Sequence, residues 1–71
     1  MSITIYLEPN ADFKVYQIIN GNIVFSYYFP FPNNNGIITH QNPQFVSGSS
    51  WCVTQVVNGV ESPYSNTITF P

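Results

Sequence analysis

The sequence contains very few charged side chains. Only 6% of its 71 residues are Asp, Glu, Lys or Arg, against roughly 25% in an ordinary soluble domain. Lys14 is the only Lys or Arg, and a protein that binds nucleic acid through its phosphates needs several. The same shortage argues against attachment to an anionic membrane surface. We therefore expect neither a nucleic-acid partner nor a membrane partner.

The sequence also lacks the groups that stabilise many small domains. A single cysteine, Cys52, cannot form an internal disulfide, and together with the single histidine, His40, it cannot supply the four ligands of a structural zinc site. A chain of 71 residues buries only about 60% of its unfolded surface. We expect no metal and no cofactor, and stability must come from close packing or from a partner.

Targeting segments are missing as well. The N-terminus has neither the basic segment nor the apolar segment of a signal peptide, and no apolar run is long enough to cross a membrane. The methionine at position 1 favours a small, complete gene product.

Catalytic constellations cannot be assembled from the residues present, so the sequence predicts a protein that is not an enzyme. The only base for a Cys52 nucleophile is His40, which we interpret as a loop histidine. A glycosidase needs two carboxyl groups about 5–10 Å apart in a cleft. Turn formation and solubility explain Glu8, Asp12 and Glu61 better. Cys52 is interpreted as a small apolar residue on a strand.

Short runs of β-branched and aromatic residues, separated by turn residues, predict an all-β fold. The longest feature is a hairpin from Trp51 to Phe70, whose two arms flank Asn58-Gly59, a dipeptide that readily takes the positive φ angles of a tight turn. Asn20-Gly21 predicts a second turn, and residues 30–36 predict a loop. The remaining predicted strands cover residues 3–7, 13–19, 23–29 and 37–40. Alternation along 13–19 places Phe13 and Val15 on one face and Lys14 and Tyr16 on the other, with Tyr16 pointing away from the core. We expect one domain, 1–71, folded as a small antiparallel β-sandwich of five to seven short strands without a helix.

Three segments carry a family resemblance: residues 3–9, residues 13–16 with the turn and apolar strand after them, and residues 45–51 running on to 59–66. Together they resemble a fibronectin type III domain, a sandwich of the immunoglobulin-like class. The first segment is similar to strand B of that family and the second to strands C and C′. The third is similar to its turn into strand F, its F–G loop and its entry to strand G. The resemblance covers nearly the whole chain from residue 3 and implies the same sandwich.

The chain departs from the family at several positions. Leu7 stands where the family usually has Trp, Trp51 stands where it has Tyr, and Gln55 replaces a small inward-facing apolar residue. A buried amide at position 55 needs a hydrogen-bonding partner or a bulge in its strand. No segment before Ile3 matches the first strand, strand A. The resemblance therefore implies a bare strand edge over Ile3–Glu8, and we expect a strand from another chain to cover it.

Aromatic residues are more numerous than one thin core requires. They make up 17% of the sequence, and tyrosine offers a large rigid surface with a polar tip that suits protein interfaces. We expect the loop 30–36 to add a second element to such an interface. The residues predicted to form the interface are Ile3, Ile5, Tyr6, Tyr16, Tyr27, Tyr28, Phe29 and Phe31.

These features predict a non-enzymatic structural protein of a larger, multimeric assembly. The specific expectation is a bacteriophage or viral virion component, assembled in the host cytoplasm: a capsid decoration protein, a minor capsid protein, or a tail or fibre protein. Immunoglobulin-like modules often decorate virions, so part of this expectation is an analogy of fold. The alternative is an extracellular carbohydrate-binding or adhesion module, whose tyrosines Tyr27 and Tyr28 would form a sugar platform. A spacer from a secreted hydrolase is a further alternative.

Overall fold

A computed structural model describes residues 1–30 and 35–71 of the chain, and all of the regular structure in this part is β-strand. It contains no helix that could cross a membrane. The strands are β1 (Ser2–Tyr6), β2 (Asp12–Ile19), β3 (Asn22–Phe29), β4 (Ile37–Gln41), β5 (Ser50–Val57), β6 (Val60–Glu61) and β7 (Ile68–Thr69). The prediction of an all-β domain is confirmed.

The strands form two antiparallel sheets that pack face to face. The small sheet pairs β1 with β4, and the large sheet has the order β3–β2–β5–β6, with β7 also pairing with β5. The core between the sheets takes Ile3, Ile5 and Ile38 from the small sheet and Val15 and Trp51 from the large sheet. The fold is thus a small antiparallel β-sandwich.

The alternation of side chains along β2 sets the two faces of the large sheet. Phe13 and Val15 point inward, and both are fully buried in the core. Lys14 and Tyr16 point to the opposite face, as the sequence predicted, and lie beside Thr54 and Cys52 of β5. We call this second surface the outer face.

Two hairpin turns are formed by Asn-Gly dipeptides. Asn20 and Gly21 have φ angles of 51° and 79°, and Asn58 and Gly59 have φ angles of 51° and 78°. Positive φ at both central residues is the signature of the type I′ turn, whose twist matches that of the strands it joins. Both predicted turns are confirmed.

The second arm of the terminal hairpin is interrupted. Residues 60–61 and 68–69 pair with opposite ends of β5, and between them the chain leaves the regular ladder. Ser62 and Ser65 keep contact with β5, since their backbone N–H groups donate to the carbonyls of Gln55 and Val53 at 2.9 and 2.8 Å. Pro63 falls inside this stretch and has no N–H to donate, which explains why a continuous strand cannot form.

Aromatic rings close one end of the core. Phe45 lies 4.8 Å from Trp51 and 5.2 Å from Phe70, measured between ring centroids. The Trp51 indole N–H donates to the Ser49 hydroxyl at 2.8 Å. Trp51 is therefore fully buried in the core, and its N–H is satisfied by the residue just before β5.

Candidate interaction surfaces

Strand β1 has one open edge. Leu7 donates its N–H to the carbonyl of Gly36 at 3.0 Å, and the register places Ile5 opposite Ile38. Backbone N–H and C=O groups alternate in direction along an antiparallel strand. Those of Ile5 and Leu7 therefore point towards β4, and those of Thr4 and Tyr6 point away from it. In the described residues β1 pairs with β4 alone.

Gly36 fixes the end of this small sheet. Its φ angle is 97°, and a Cβ at this position would lie 2.9 Å from the carbonyl oxygen of Leu7. Any other residue would be strained in the backbone and would push β1 and β4 apart. The close approach keeps the end of β1 in place beside β4.

A groove of about 480 Å³ lies at the C-terminal end of β1. One wall is the end of β1 and the residues that follow it, and the other wall is the stretch 62–65. Val53 lies between these walls and also packs against the core cluster. The residues that line the groove are Ile5, Tyr6, Leu7, Glu8, Val53, Thr54, Gln55, Ser62, Pro63 and Ser65.

Two serines build the far wall of the groove. The Ser62 hydroxyl accepts the N–H of Gln55 at 3.0 Å, and the Ser65 hydroxyl accepts the N–H of Val53 at 2.9 Å. Side-chain oxygens thus take the place that carbonyl oxygens would have in a regular ladder. The hydrogen bonds of β5 are satisfied although the chain between the serines stands away from it.

Gln55 closes one end of the groove. Its side-chain Oε1 accepts the backbone N–H of Glu8 at 2.8 Å, and β5 shows no register shift against β2 at this position. Of the two possibilities that the sequence left open, a partner or a bulge, the partner is correct. Because the N–H of Glu8 already donates to Gln55, Tyr6 is the last residue of this edge whose backbone N–H can pair with an added strand.

The residues predicted to form an interface lie in different surroundings. Ile3 and Ile5 point into the core and are buried, so β1 offers its backbone at these positions and not its side chains. Tyr6 is 78% exposed. Phe29 packs against the core cluster, and Phe31 lies outside the described residues, as does most of the predicted loop 30–36.

The two tyrosines of β3 do not share a surface. Tyr27 pairs with Val15 and so lies on the inner face, whereas Tyr28 pairs with Lys14 and lies on the outer face. The Tyr28 hydroxyl donates to the carboxylate of Asp12 at 2.5 Å. A single sugar platform made of both rings therefore does not form in this structure.

The outer face has a polar centre around Glu61. Its carboxylate accepts hydrogen bonds from the hydroxyl of Tyr16 and, at 2.7 Å, from the hydroxyl of Thr54, and Lys14 lies 3.4 Å away. These donors, with the Tyr16 hydroxyl foremost, lower the pKa of Glu61. Burial, reinforced by the bond to Glu61, raises the pKa of Tyr16 to about 12. The arrangement joins β2, β5 and β6 and has the character of a structural network.

Aromatic rings surround this polar centre. Tyr64 and Phe25 stand edge-on to Tyr16, with ring centroids 5.1 and 5.7 Å away. Tyr16 is buried although it faces away from the core, because these two rings flank it. Phe25 and Tyr64 themselves stay more than half exposed. The outer face thus presents aromatic surface to its surroundings.

His40 lies in β4 and not in a loop, so that interpretation is wrong. Its ring contacts three phenylalanines, Phe13, Phe29 and Phe45, at centroid distances of 5.6, 4.5 and 5.5 Å. The Nε2 atom is buried without a hydrogen-bonding partner in the described part of the chain. Burial lowers the pKa of His40, because the charged imidazolium loses its hydration.

Cys52 lies on the outer face beside Tyr16 and is buried. Burial raises the pKa of its thiol, which is the opposite of what an activated nucleophile needs. Within residues 1–30 and 35–71, no group of three or more His, Cys, Asp and Glu side chains is placed to hold a metal ion.

Comparison with known proteins does not assign the chain to a family. Protein-family models, curated proteins and solved structures gave no match. The geometry described above therefore carries the functional argument.

Sequence reasoning missed the far wall of the groove. The spacing of Ser62 and Ser65 around a proline was visible, and serine hydroxyls are known to replace backbone groups. The pattern alone does not say which strand the hydroxyls meet. Their pairing with Val53 and Gln55 depends on the register of the folded hairpin.

Proposed function

We propose that the chain is a non-enzymatic structural module that accepts an extended segment of another protein along the open edge of β1. The observation that carries this proposal is the groove between Ile5–Glu8 and the stretch 62–65. Next to the groove, the backbone groups of Thr4 and Tyr6 point away from β4 and meet no other strand in the described part of the chain. An open strand edge beside an apolar groove is the combination that strand addition uses. Main-chain hydrogen bonds supply affinity, and the groove receives alternate side chains.

The shape of the groove indicates which kind of segment it takes. Leu7 and Val53 present apolar surface inside it, so the inward-facing residues of the added strand are apolar. Gln55 already holds the N–H of Glu8, so the added strand pairs with residues 2–6 and stops there. Its outward-facing residues meet solvent or the neighbouring chain and can be polar.

The strand order supports the family resemblance as part of this proposal. A sandwich of the immunoglobulin-like class carries one sheet with strands A, B and E and another with strands C, F and G. The order β1–β4 and β3–β2–β5–β6 fits that arrangement with strand A removed. Strand A would lie along β1, so the donated segment takes the position of strand A.

The setting that we propose is a virion of a bacteriophage or another virus, in which the chain serves as a capsid decoration, minor capsid, tail or fibre protein. The support is a domain with 6% charged residues, an open strand edge and exposed aromatic rings, all of which suit a surface that lies against other protein. The test is binding of the purified chain to pre-formed shells or tails that lack it. Saturable binding supports the setting, and absence of binding to every such particle contradicts it.

Strand acceptance is tested separately with a synthetic peptide that alternates Thr and Val. Fluorescence of Trp51, which packs in the core beside the groove residue Val53, is measured during titration of the full chain. The matched variant is Tyr6→Pro, because the Tyr6 N–H is directed to the open edge and its loss leaves the ladder with β4 intact. Tyr28→Ala, on the outer face of the other sheet, is the control.

We expect saturable binding to the wild type and to Tyr28→Ala, and at least a tenfold loss of affinity in Tyr6→Pro. A peptide that binds Tyr6→Pro as well as it binds the wild type would show that the β1 edge is not the acceptor. Circular dichroism of Tyr6→Pro confirms that the variant is folded before its binding is compared.

Carbohydrate binding or adhesion is the second candidate. The observation that favours it is the outer face, where Phe25, Tyr28 and Tyr64 are exposed near the carboxylates of Asp12 and Glu61. Aromatic faces with nearby polar groups suit ligands that are partly apolar and partly hydroxylated. A glycan array decides: saturable binding that is lost in Tyr28→Ala supports this function, and no binding removes it.

A further inference from the structure

The second open edge of the sandwich is β3. It pairs with β2 and, in the part of the chain that the structure describes, with no other strand. It lies at the end of the large sheet opposite to β6, so it is separate from the groove described above. The side chains of β3 that are between 44% and 55% exposed are Ile23, Val24, Phe25, Tyr27 and Tyr28.

The exposed side chains lie on both faces of β3. Phe25 pairs with Tyr16 on the outer face, whereas Val24 pairs with Gln17 on the inner face. Within residues 1–30 and 35–71 the small sheet has two strands, and the inner side chains of Val24 and Tyr27 remain exposed. A globular partner laid on one face would leave the other apolar row in water. A strand paired alongside β3 extends the apolar rows of side chains on both of its faces. It also forms hydrogen bonds with the backbone groups of β3 that point away from β2.

The edge carries none of the charges that usually keep such strands apart. Residues 22–29 contain no charged residue and no proline. Natural edge strands commonly carry such residues, which hinder pairing with a strand of another chain. The nearest charges lie on β2, where Asp12 accepts the hydroxyl of Tyr28 and Lys14 pairs with Glu61. Two copies of β3 can therefore approach without repulsion between like charges.

One feature limits how much of β3 can pair. The register shifts between Val15 and Tyr16, which pair with Tyr27 and Phe25 and leave Ser26 as an extra residue in β3. Such a bulge bends the strand and weakens pairing around it. The regular half that remains is 22–25, which contains the apolar residues Ile23, Val24 and Phe25 in succession.

We propose that β3 pairs with β3 of a second copy of this chain, antiparallel across a two-fold axis centred on residues 22–25. A two-fold axis places the same surface on both sides of the contact, so a strand that is apolar on both faces is complementary to itself. The contact extends the large sheet through both copies. It is independent of strand acceptance at β1.

The size of the contact sets the expected affinity. A full aromatic side chain offers roughly 150–250 Å², so the half-exposed Ile23, Val24 and Phe25 of the paired half offer on the order of 200 Å² per copy. A standard stable interface buries about 800 Å² on each partner. The proposed contact is smaller than that, so we expect a weak dimer that forms at high protein concentration.

The test is sedimentation velocity of the full chain from about 1 μM to about 1 mM, a range that covers weak association. The wild type should pass from monomer to dimer. Phe25→Lys adds a charge to the edge, which should weaken dimerisation at least tenfold while circular dichroism stays unchanged. Tyr6→Lys alters a residue that is more exposed, at 78%, but lies on β1, and it should dimerise like the wild type.

A wild type that stays monomeric over the whole range would overturn the proposal. So would a folded Phe25→Lys that dimerises like the wild type, or a loss of the dimer in Tyr6→Lys alone, since the contact would then run through β1. If Phe25→Lys does not fold, Val24→Lys places the charge on the inner face of the same segment. The same expectation and the same contradictions then apply to Val24→Lys.

Discussion

Strands β1 and β3 are both edge strands, but they expose different parts of themselves. In β1 the apolar side chains Ile3 and Ile5 are buried, and the backbone of Thr4 and Tyr6 is open. In β3 both the backbone edge and the apolar side chains are open, and Phe25 is 55% exposed. A partner of β1 chiefly adds main-chain hydrogen bonds and fills a groove, whereas a partner of β3 must bury side chains.

The exposure of the β3 side chains follows from the position of β3 in the sandwich and not from its composition, as a comparison with β2 shows. Strands β2 and β3 form one hairpin, and both are eight residues long and rich in apolar residues. Val15 of β2 is fully buried because β3 and β5 flank it and the small sheet covers it. Strand β3 has one flanking strand in the described residues and lies at the margin of the area that the small sheet covers. The same kind of sequence therefore becomes core in one strand and open surface in the next.

The largest expected effect is the difference in stability loss between truncating a side chain of β1 and truncating a side chain of β3. Ile5→Ala removes a core side chain of β1 and should lower the free energy of unfolding by about 2–5 kcal/mol. Val24→Ala on β3, whose side chain is 44% exposed, should change it by about 0.5 kcal/mol. Urea unfolding measures both. Equal losses would mean that β3 is packed as tightly as β1.

Ile5→Ala is expected to leave little stability in so small a domain. Ile5→Val is the milder variant, and it should cost about 0.5–1.5 kcal/mol. A result near zero for Ile5→Val would contradict the close packing beneath β1 and would remove the contrast between the two edges.

A smaller effect is expected at the end of the groove. Gln55→Ala removes the acceptor of the Glu8 N–H and should cost about 1 kcal/mol of unfolding free energy. The Glu8 amide should also exchange faster with solvent. Gln41→Ala, at an exposed position of β4, is the control and should change stability by less than about 0.5 kcal/mol. Equal costs for Gln41→Ala and Gln55→Ala would show that Gln55 does not hold the end of β1.

The smallest effect is a dependence on pH that comes from His40, on the strand paired with β1. Burial lowers the pKa of the folded-state imidazole, so the unfolded chain binds the proton more tightly. Stability is therefore complete above the unfolded pKa of about 6.5, and it falls as the pH drops from there through the lower, folded-state pKa. Thermal melts between pH 7.5 and pH 5 should show a falling melting temperature.

His40→Phe should remove this slope, because a phenyl ring suits a site lined by Phe13, Phe29 and Phe45 and does not titrate. An unchanged slope in this variant would assign the pH dependence to other groups.

The strands and turns could be predicted from the sequence because their signals are local. Asn-Gly turns need only their own two residues, and the alternation along β2 correctly placed Val15 inside and Tyr16 outside. The burial of Tyr16 could not be predicted in this way. It depends on Phe25 and Tyr64, which reach it only through the folded sheet.

The groove could be predicted only in part. The sequence predicted an open edge over Ile3–Glu8, and β1 pairs with β4 alone in the described residues. The second wall depends on Ser62 and Ser65 meeting β5 at particular residues, and the closed end depends on a contact between Gln55 and Glu8. Such contacts join segments that are distant in sequence, and strand patterns carry no information about them.

The most direct test of the strand-acceptor proposal is amide hydrogen exchange of the full chain, measured by NMR with and without the peptide that alternates Thr and Val. We expect Thr4 and Tyr6 to exchange rapidly in the free chain while Ile5, whose N–H is directed to β4, exchanges slowly. With the peptide, Thr4 and Tyr6 should slow at least tenfold. If both amides are already as slow as Ile5 in the free monomer, or stay fast when the peptide is bound, β1 is not an open edge that accepts a strand.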